Sequence, residues 1–429
     1  MLSKQVSILK IYNSQILLFL NFSVFTGLLV YSGYGLKKKM LLLTFFIAFV
    51  LGFLLFKYLK KIIKFQFLLA IVGFIFLIPI LLKYTSYNND WQKQPDAIEA
   101  VKLKNRPNIY VIQPDGYVGL SEIGGDNYRK ENKIFNSFLL ENNFKLYPNY
   151  RSNYYSTLSS NSSMFMMKHH YYNRRAEVGS ELLFARDVII SDNSVLSILK
   201  KNKYSTSLIL ENSYLLTSRP KMGFDFSNID YNNLPVVSRG FEFKKDVLKD
   251  LQSALKKNKE GPHFYFIERI LPGHITTQKS SSGGKQLERS KYMERLDEAN
   301  IWLTETVNLI NKNDTNALII IVADHGGFVG YDYSGQSHEK PKSRDNTFSM
   351  FSSLLAIKWP EHTDIIDKDI KSSVNLFRTI FSVLSEDKSL LINAQSNASY
   401  LTVNEGAQLG IYEVIDEDNN AVFKPFITD

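Results

Sequence analysis

The chain has 429 residues, enough for two or three domains of roughly 100–200 residues, each with its own core. Its net charge of +9 at pH 7 raises the question of a nucleic-acid partner. That excess lies within residues 1–84, which contain ten Lys and no Arg, Asp or Glu, so we expect no nucleic-acid partner. The absence of Cys excludes disulfides, thiolate metal sites and a cysteine nucleophile. Hydroxyls, carboxylates and seven His must supply any chemistry.

Long uncharged stretches separated by lysines dominate residues 1–84. They comprise 26 residues (11–36), 17 residues (40–56) and 18 residues (65–82), all rich in Leu, Ile, Phe and Val. At ~1.5 Å per residue, each approaches or exceeds the length that crosses about 30 Å of hydrocarbon. We therefore predict a transmembrane anchor of three helices over residues 1–84. The alternative is a set of buried core helices in a soluble protein.

The flanking lysines predict how this anchor is oriented. Six lie in the N-terminal tail and the second loop, against four on the other side. The positive-inside rule then places the tail inside, and an odd number of spans places the rest of the chain outside. We expect a multi-pass protein of the cytoplasmic (inner) membrane with an extracytoplasmic catalytic domain.

A polar linker without apolar periodicity covers residues 85–106, and a domain follows over residues 107–429. In this domain short apolar runs alternate with helical stretches, which predicts an α/β fold with a largely parallel sheet. The predicted strands are 108–113, 205–210, 264–270, 317–323 and 352–358. The predicted helices are 157–168, 193–202, 287–312 and 370–385. Residues 386–429 are expected to add edge strands or a small hairpin.

Residues of metal-ligand type follow several predicted strands. Asp115 follows the first strand, His274 ends the LPGH motif after the third, and Asp324 and His325 follow the fourth. Ligands of open α/β sheets bind at the carboxyl ends of strands, so these groups are expected at one edge. Carboxylates with imidazole suit a divalent cation, Zn or Mn. The alternative is that each Asp forms an Asx-turn or caps a helix.

Hydroxyls crowd residues 151–165, just before and within a predicted helix. A nucleophile there would gain from the positive end of the helix and from a nearby metal. A Ser or Thr that caps the helix in a polar loop is the alternative. Composition does not choose among these hydroxyls.

Five motifs share one resemblance. They are PNIYVIQPDGY (107–117), SNYYSTLSS (152–160), LPGH (271–274), IIIVADHGG (319–327) and VNLFRTIFSVL (374–384). Together they resemble the alkaline phosphatase superfamily, in particular its membrane-anchored sulfatase-like branch, which includes phosphoethanolamine and phosphoglycerol transferases. The resemblance implies an alkaline-phosphatase-like α/β/α sandwich with a mostly parallel central sheet.

The resemblance also assigns a metal site and a nucleophile. It implies that Asp115, Asp324 and His325 hold one firmly bound ion, with a second ion possible. The family pattern N-Y-x-x-T-x-x-S begins at Asn153 and places the catalytic hydroxyl, which also contacts the metal, at Thr157.

Further residues are implied as contacts of the substrate. His274 would contact the phosphate or the leaving oxygen, or join a second metal with His338. Arg344 and Asn153 are candidates for substrate binding, although Arg344 is also explained as an ordinary surface residue. For His169 and His170, which follow the nucleophile helix, we expect a solvated helix end rather than a metal site.

The predicted function is transfer of phosphoethanolamine or phosphoglycerol from a lipid donor to a surface glycan or a lipid-linked saccharide through a phospho-threonine. A membrane-bound phosphatase or phosphodiesterase is the alternative, because the ligand set is the same for both. A sulfatase is disfavoured, since neither Cys nor the C/S-x-P-x-R context for formylglycine is present at Thr157. A third alternative is a degenerate domain that binds a glycan or a partner without chemistry. Such a domain is expected to lack at least one metal ligand or the nucleophile, whereas the sequence has all of them. The acceptor site is expected in loops 171–192 and 211–240.

Overall fold

The computed structural model describes residues 11–34, 38–85, 87–174, 181–235, 238–257, 261–363 and 370–426. They divide into two compact units. The first contains the described residues up to Tyr87 together with those within 233–239. The second contains residues 88–232 and those from Gly240 onward.

The first unit is helical throughout its apolar stretches. Its helices are α1 (Asn13–Tyr34), α2 (Lys38–Leu55) and α3 (Leu59–Thr85), and a 3-10 turn, Phe56–Tyr58, joins α2 to α3. By length and composition two stretches qualify as membrane spans, 20 residues over Asn13–Ser32 and 45 residues over Lys38–Leu82. The expected count of three spans is therefore not confirmed. The lysines that were expected to separate the second and third spans lie within helical backbone, which Lys readily adopts.

Close packing and a reciprocal amide pair join these helices. A Cβ on Gly52 of α2 would lie 3.1 Å from Phe19 Cβ of α1, so this position suits glycine. Asn21 Nδ2 donates to Gln66 Oε1 at 3.0 Å, and Gln66 Nε2 donates to Asn21 Oδ1 at 2.8 Å. Small residues and amide pairs are typical contacts between helices in an apolar surrounding.

A seven-stranded sheet forms the centre of the second unit. Its strands are β1 (Ile109–Pro114), β2 (Phe144–Leu146), β3 (Ser205–Leu210), β4 (Phe226–Ser227), β5 (His263–Arg269), β6 (Leu318–Val322) and β7 (Leu355–Lys358). Their order is β2-β7-β6-β1-β5-β3-β4. Among the described strands of this sheet, β7 alone runs in the direction opposite to the other six, so the expected mostly parallel sheet is confirmed.

Helices cover both faces of this sheet. They are α4 (Lys133–Glu141), α5 (Thr157–Met166), α6 (Ala185–Ile190), α7 (Ser194–Lys201), α8 (Val247–Lys257), α9 (Lys285–Asn313), α10 (Arg344–Phe351) and α11 (Ser373–Ser385). Phe266 of β5 meets Phe165 of α5 with ring centroids 5.1 Å apart. Its neighbour Tyr265 belongs to the core cluster that contains Leu303 of α9. Because successive side chains of a strand point to opposite faces, α5 and α9 lie on opposite sides, as in an α/β/α sandwich.

The predicted elements agree with the observed ones except at the ends of the domain's last segments. The predicted strand 352–358 begins late, at Leu355, because helix α10 continues to Phe351. The C-terminal strands β8 (Ser399–Val403), β9 (Gly410–Ile415) and β10 (Ala421–Pro425) form their own three-stranded antiparallel sheet. They do not extend the edge of the main sheet within the described residues.

Candidate active site and metal centre

Two adjacent parallel strands bring the acidic residues together. Asp115 follows β1, and Asp324 and His325 follow β6, which pairs with β1. One side-chain ligand atom from each of the three residues lies within 4.8 Å of the others. The predicted meeting of these groups at one edge of the sheet is therefore what the structure shows.

The turn after β1 depends on a glycine. Gly116 has φ +65°, and a Cβ there would lie 2.6 Å from the backbone carbon of Gly273. Its N–H donates to Asp324 Oδ1 at 3.1 Å. A side chain at this position would therefore disturb both the turn and the orientation of a metal-type carboxylate.

The hydroxyl of Thr157 lies beside this cluster. Thr157 is the first residue of α5, and its Oγ1 donates to Asp115 Oδ2 at 3.1 Å. The same oxygen lies 3.4 Å from His325 Nε2. Ser156, the preceding hydroxyl, makes no side-chain cap hydrogen bond to the helix. Geometry thus distinguishes Thr157 from the other hydroxyls of the segment.

Burial and the like charge of Asp324 disfavour the ionised form of Asp115. Burial, followed by the nearby charge of Asp324, raises the pKa of Asp115 far above its ordinary value. Burial alone would lower the pKa of His325, but Asp324 and Asp115 outweigh it and raise that pKa. Asp324 Oδ2 is buried, lies 3.4 Å from His325 Nε2, and has no hydrogen-bond partner among the residues that the structure describes. A cation between these groups would relieve each of these costs.

The imidazole of His325 is held in the form that binds metals. Its Nδ1 lies 2.8 Å from the carbonyl oxygen of Gly326. A carbonyl only accepts, so Nδ1 carries a proton, and Nε2, which lies 3.4 Å from both Thr157 Oγ1 and Asp324 Oδ2, is the nitrogen that would bind a cation. This donor set of two carboxylates and one imidazole fits a divalent cation.

Two further predicted histidines line the same pocket as Thr157, a cavity of about 370 Å³. The ring of His274 lies 5.9 Å from that of His325, and its Nδ1 donates to the carbonyl of Ile275 at 2.6 Å. Burial, followed by the neighbouring His325, lowers the pKa of His274 to about 4. His338 lies 3.4 Å from the Tyr155 hydroxyl through its Nδ1, and burial lowers its pKa.

Two predicted substrate-binding residues have other partners. Arg344 forms a two-pronged ion pair with Glu122 at 2.8 and 2.9 Å and lies over the ring of Phe348. Asn153 is fully buried, its Oδ1 accepts from Val374 N at 2.9 Å, and its Nδ2 donates to a backbone carbonyl. Neither is among the described residues that line the pocket of Thr157, and their part in substrate binding stays a prediction.

The expectation of a solvated helix end at His169 and His170 is wrong. Both are buried, and burial lowers the pKa of His169 to about 4 and that of His170 to about 3. His169 contacts the Tyr154 hydroxyl through Nδ1 at 3.1 Å, and His170 contacts the Ser159 carbonyl through Nε2 at 2.9 Å. They pack behind α5 because aromatic rings cover them, including Tyr154 and, from the C-terminal sheet, Tyr400.

Several residues that line the pocket were not singled out from the sequence, and Glu181 and Tyr214 are two of them. Glu181 and Tyr214 line the cavity, and the Tyr214 hydroxyl donates to Glu181 Oε1 at 3.3 Å. Both fall in the loops expected to carry the acceptor site. Nothing in the local pattern distinguishes them from other polar loop residues.

The sulfatase family model matches residues 148–385, more than half of the chain. The chain belongs to the sulfatase family, which confirms the resemblance to the sulfatase-like part of the alkaline phosphatase superfamily. The matched region includes Thr157, His274, Asp324 and His325, and Asp115 precedes it. The comparison with curated proteins finds no match.

Several solved structures are similar to this chain. One is the C-terminal periplasmic domain of EcEptC from Escherichia coli, with 14% identity, TM-score 0.47, and coverage of 73% of this chain and 94% of that one. Another is the integral membrane lipooligosaccharide phosphoethanolamine transferase A from Neisseria meningitidis, with 13% identity, TM-score 0.49, and coverage of 82% and 70%. The putative sulfatase yidJ from Bacteroides fragilis has 11% identity, TM-score 0.47, and coverage of 69% and 81%.

Proposed function

We propose that the chain is a metal-dependent transferase that moves phosphoethanolamine or phosphoglycerol from a membrane lipid to a cell-surface glycan or a lipid-linked saccharide through Thr157. The observation that carries this proposal is the position of the Thr157 hydroxyl, 3.1 Å from Asp115 Oδ2 and 3.4 Å from His325 Nε2. A threonine that only caps a helix has no need of three buried groups of metal-ligand type around it. This arrangement suits a nucleophile.

Asp115, Asp324 and His325 would hold one divalent cation beside Thr157, and Zn or Mn suits this donor set. When bound, such an ion supplies positive charge that stabilises a phosphoryl oxygen and lowers the pKa of a nearby hydroxyl. A second ion, held by His274 and His338, remains part of the proposal.

The first half-reaction forms a bond from Thr157 Oγ1 to the phosphorus of the donor and breaks the bond from phosphorus to the diacylglycerol oxygen. Asp115 Oδ2 accepts the hydrogen bond of the Thr157 hydroxyl and is the acceptor within reach of its proton. His274, in the same pocket, is the proposed contact of the phosphate or of the leaving oxygen, which gains a proton. The N–H groups at the start of α5 favour negative charge beside Thr157.

In the second half-reaction an acceptor hydroxyl attacks the phosphorus of the phospho-threonine. The bond from phosphorus to Oγ1 breaks, Thr157 regains its proton, and the acceptor loses one. The net change is transfer of the head-group phosphate from diacylglycerol to the acceptor.

The same residues argue against sulfate-ester hydrolysis. Formylglycine forms from Cys or Ser in a C/S-x-P-x-R context, whereas Thr157 is followed two and four positions later by Ser159 and Asn161. A threonine hydroxyl is suited to forming a covalent phosphoester instead.

The apolar helices support a lipid donor. Candidate spans in the first unit would keep the catalytic unit at the membrane, where phospholipid head groups are concentrated. We propose that the protein lies in the cytoplasmic (inner) membrane with its catalytic domain outside, because more lysines lie on the predicted inner side of the anchor than on the other side.

The proposal is tested with the purified full chain in vesicles of phosphatidylethanolamine and phosphatidylglycerol, with Mn or Zn added. Mass spectrometry follows diacylglycerol release and a head-group phosphate on Thr157. The wild type is expected to show both, and Thr157→Ala neither.

Ser156→Ala is the matched control, because Ser156 is the adjacent hydroxyl in the same pocket. It is expected to keep both signals. Diacylglycerol release by Thr157→Ala at the wild-type rate would contradict the assignment of the nucleophile. Free head-group phosphate from the wild type, with no transfer to added saccharide, would indicate a hydrolase with water as the acceptor.

A further inference from the structure

The pocket of Thr157 contains one carboxylate outside the metal-type cluster. Glu181 lines this pocket and is exposed to solvent there. Its Oε1 accepts a hydrogen bond from the Tyr214 hydroxyl at 3.3 Å. No Lys or Arg side chain pairs with it in the part of the chain that the structure describes. Burial raises the pKa of Glu181, while the nearby charge of Arg186 and the Tyr214 hydroxyl oppose that rise. A cationic ligand would stabilise the charged form of this carboxylate.

The rest of the pocket wall is aromatic, hydroxylic or imidazole in character. Tyr155, Tyr214 and Phe328 supply its rings, and the described lining residues include no Lys or Arg. Arg186 lies beside this wall, where it donates through Nε to the Tyr214 carbonyl at 2.8 Å and lies 4.7 Å from the centre of the Tyr214 ring. Arg186 is thus bound to the wall itself.

A carboxylate beside aromatic rings is a suitable environment for an ammonium group. The carboxylate accepts a charge-assisted hydrogen bond, and a ring face attracts a cation. Thr157 and His325 line the same pocket, and the proposed function places the phosphate beside them. The cavity therefore offers one environment for a phosphate and another for a cation, which suits a small ligand that carries both groups.

We infer that Glu181 binds the ammonium group of the transferred head group and so selects an amino-alcohol phosphate over neutral phosphoglycerol. This inference rests on the proposed function and decides between the two donors that it leaves open. A cavity of about 370 Å³ is large enough for such a head group. Glycerol would leave the carboxylate without a cation, and its hydroxyls would make weaker hydrogen bonds to it.

The test compares the binding of two soluble probes, O-phosphoethanolamine and sn-glycerol 3-phosphate, to the metal-loaded full chain by isothermal titration calorimetry. The wild type is expected to bind O-phosphoethanolamine about tenfold more tightly. Glu181→Gln keeps the shape of the side chain without its charge and is expected to bring the two affinities within about twofold. Glu181→Asp is expected to restore part of the preference. Glu298→Gln, at an exposed position of α9 outside the pocket, is the matched control and should behave as the wild type.

The outcomes separate this inference from the proposed function. Equal affinities in the wild type, or an unchanged preference in Glu181→Gln, would overturn the role of Glu181 whether or not lipids are turned over. A preference that depends on Glu181, in a protein that releases no diacylglycerol, would support the ammonium site and reject the lipid-transfer reaction. If Glu181 instead acted as a base toward the acceptor, Glu181→Gln would slow turnover of both lipids equally and keep the preference in binding, which also overturns the inference.

Discussion

The imidazole of His170 stacks on the ring of Tyr154, with centroids 3.9 Å apart. His170 Nε2 donates to the carbonyl of Ser159 at 2.9 Å, and its Nδ1 accepts from the N–H of Tyr172 at 2.8 Å. Ser159 lies in the first turn of α5, two residues after Thr157. Because a carbonyl only accepts and an N–H only donates, the ring is neutral in this arrangement. His170 thus joins the segment that follows α5 to the turn that carries the proposed nucleophile.

This arrangement predicts an acid-sensitive fold. Burial lowers the pKa of His170 to about 3, whereas a histidine of the unfolded chain takes up a proton below about pH 6.5. Its stabilising contribution is therefore complete above about pH 6.5 and is lost as the pH falls toward the folded value, by up to ~1.4 kcal/mol per pH unit. His170→Gln has no titration at this position. We expect its melting temperature to be lower at pH 7.5 and to fall less steeply between pH 6.5 and 4.5.

The measurement is thermal unfolding of the full chain in detergent across this pH range. His362→Gln, at an exposed histidine, is the control and should follow the wild-type curve. If the melting temperature of His170→Gln fell as steeply as that of the wild type between pH 6.5 and 4.5, the buried imidazole would not contribute to the acid sensitivity.

A second prediction concerns Gly116, between the two metal-type carboxylates. Gly116→Ala would place a Cβ 2.6 Å from the Gly273 backbone at φ +65°, which costs roughly 1–3 kcal/mol in strain. The N–H that donates to Asp324 Oδ1 would move with it. We expect at least tenfold weaker binding of Zn or Mn, measured by titration calorimetry, together with a lower melting temperature.

Gly124→Ala is the matched control, because a Cβ at Gly124 meets nothing within 4 Å. It should leave metal affinity unchanged. If both variants bound metal as the wild type does, the turn after β1 would not be what orients Asp324.

Much of the site follows from strand ends, which are visible in sequence. Residues 109–112 and 317–323 are unbroken apolar runs, as buried parallel strands are, and the residues that follow them must meet at one edge. Asp115, Asp324 and His325 were therefore predictable. Thr157 was chosen by resemblance alone, since many hydroxyls surround it and only the fold brings one of them to Asp115.

The burial of His169 and His170 was not predictable in the same way. Some of the rings that cover them come from distant segments: Tyr400 of the C-terminal sheet lies 5.2 Å from His169, and Trp91 lies 5.5 Å from His170. Strands β2 and β4, of three and two residues, are too short to show a period. The burial of a loop residue and the pairing of a very short strand depend on distant segments, which local patterns do not report.

The third prediction is that Asp115 destabilises the metal-free protein. Burial and the charge of Asp324 raise its pKa, so the folded value lies above the unfolded value of about 3.9. The stabilising contribution of such a group is complete below the unfolded pKa and is lost as the pH rises through the folded pKa. Asp115→Asn removes this titration. In the presence of EDTA we expect the variant to melt at or above the wild-type temperature at pH 8 and to lose less stability between pH 5 and 8.

Metal should reverse this order, because a ligand that binds only the folded state stabilises it by mass action, about 4 kcal/mol at a thousandfold excess over Kd. Adding Zn or Mn is expected to raise the melting temperature of the wild type by several degrees and that of Asp115→Asn hardly at all, and EDTA should return the wild type to its metal-free value. Asp126→Asn, at an exposed carboxylate 83% accessible to solvent, controls for the loss of one negative charge and should keep the full response to metal. The two readouts are independent. An unchanged metal response in Asp115→Asn would remove Asp115 from the ligand set, whereas a metal-free variant much less stable than the wild type would show that the carboxylate is satisfied within the protein and needs no cation.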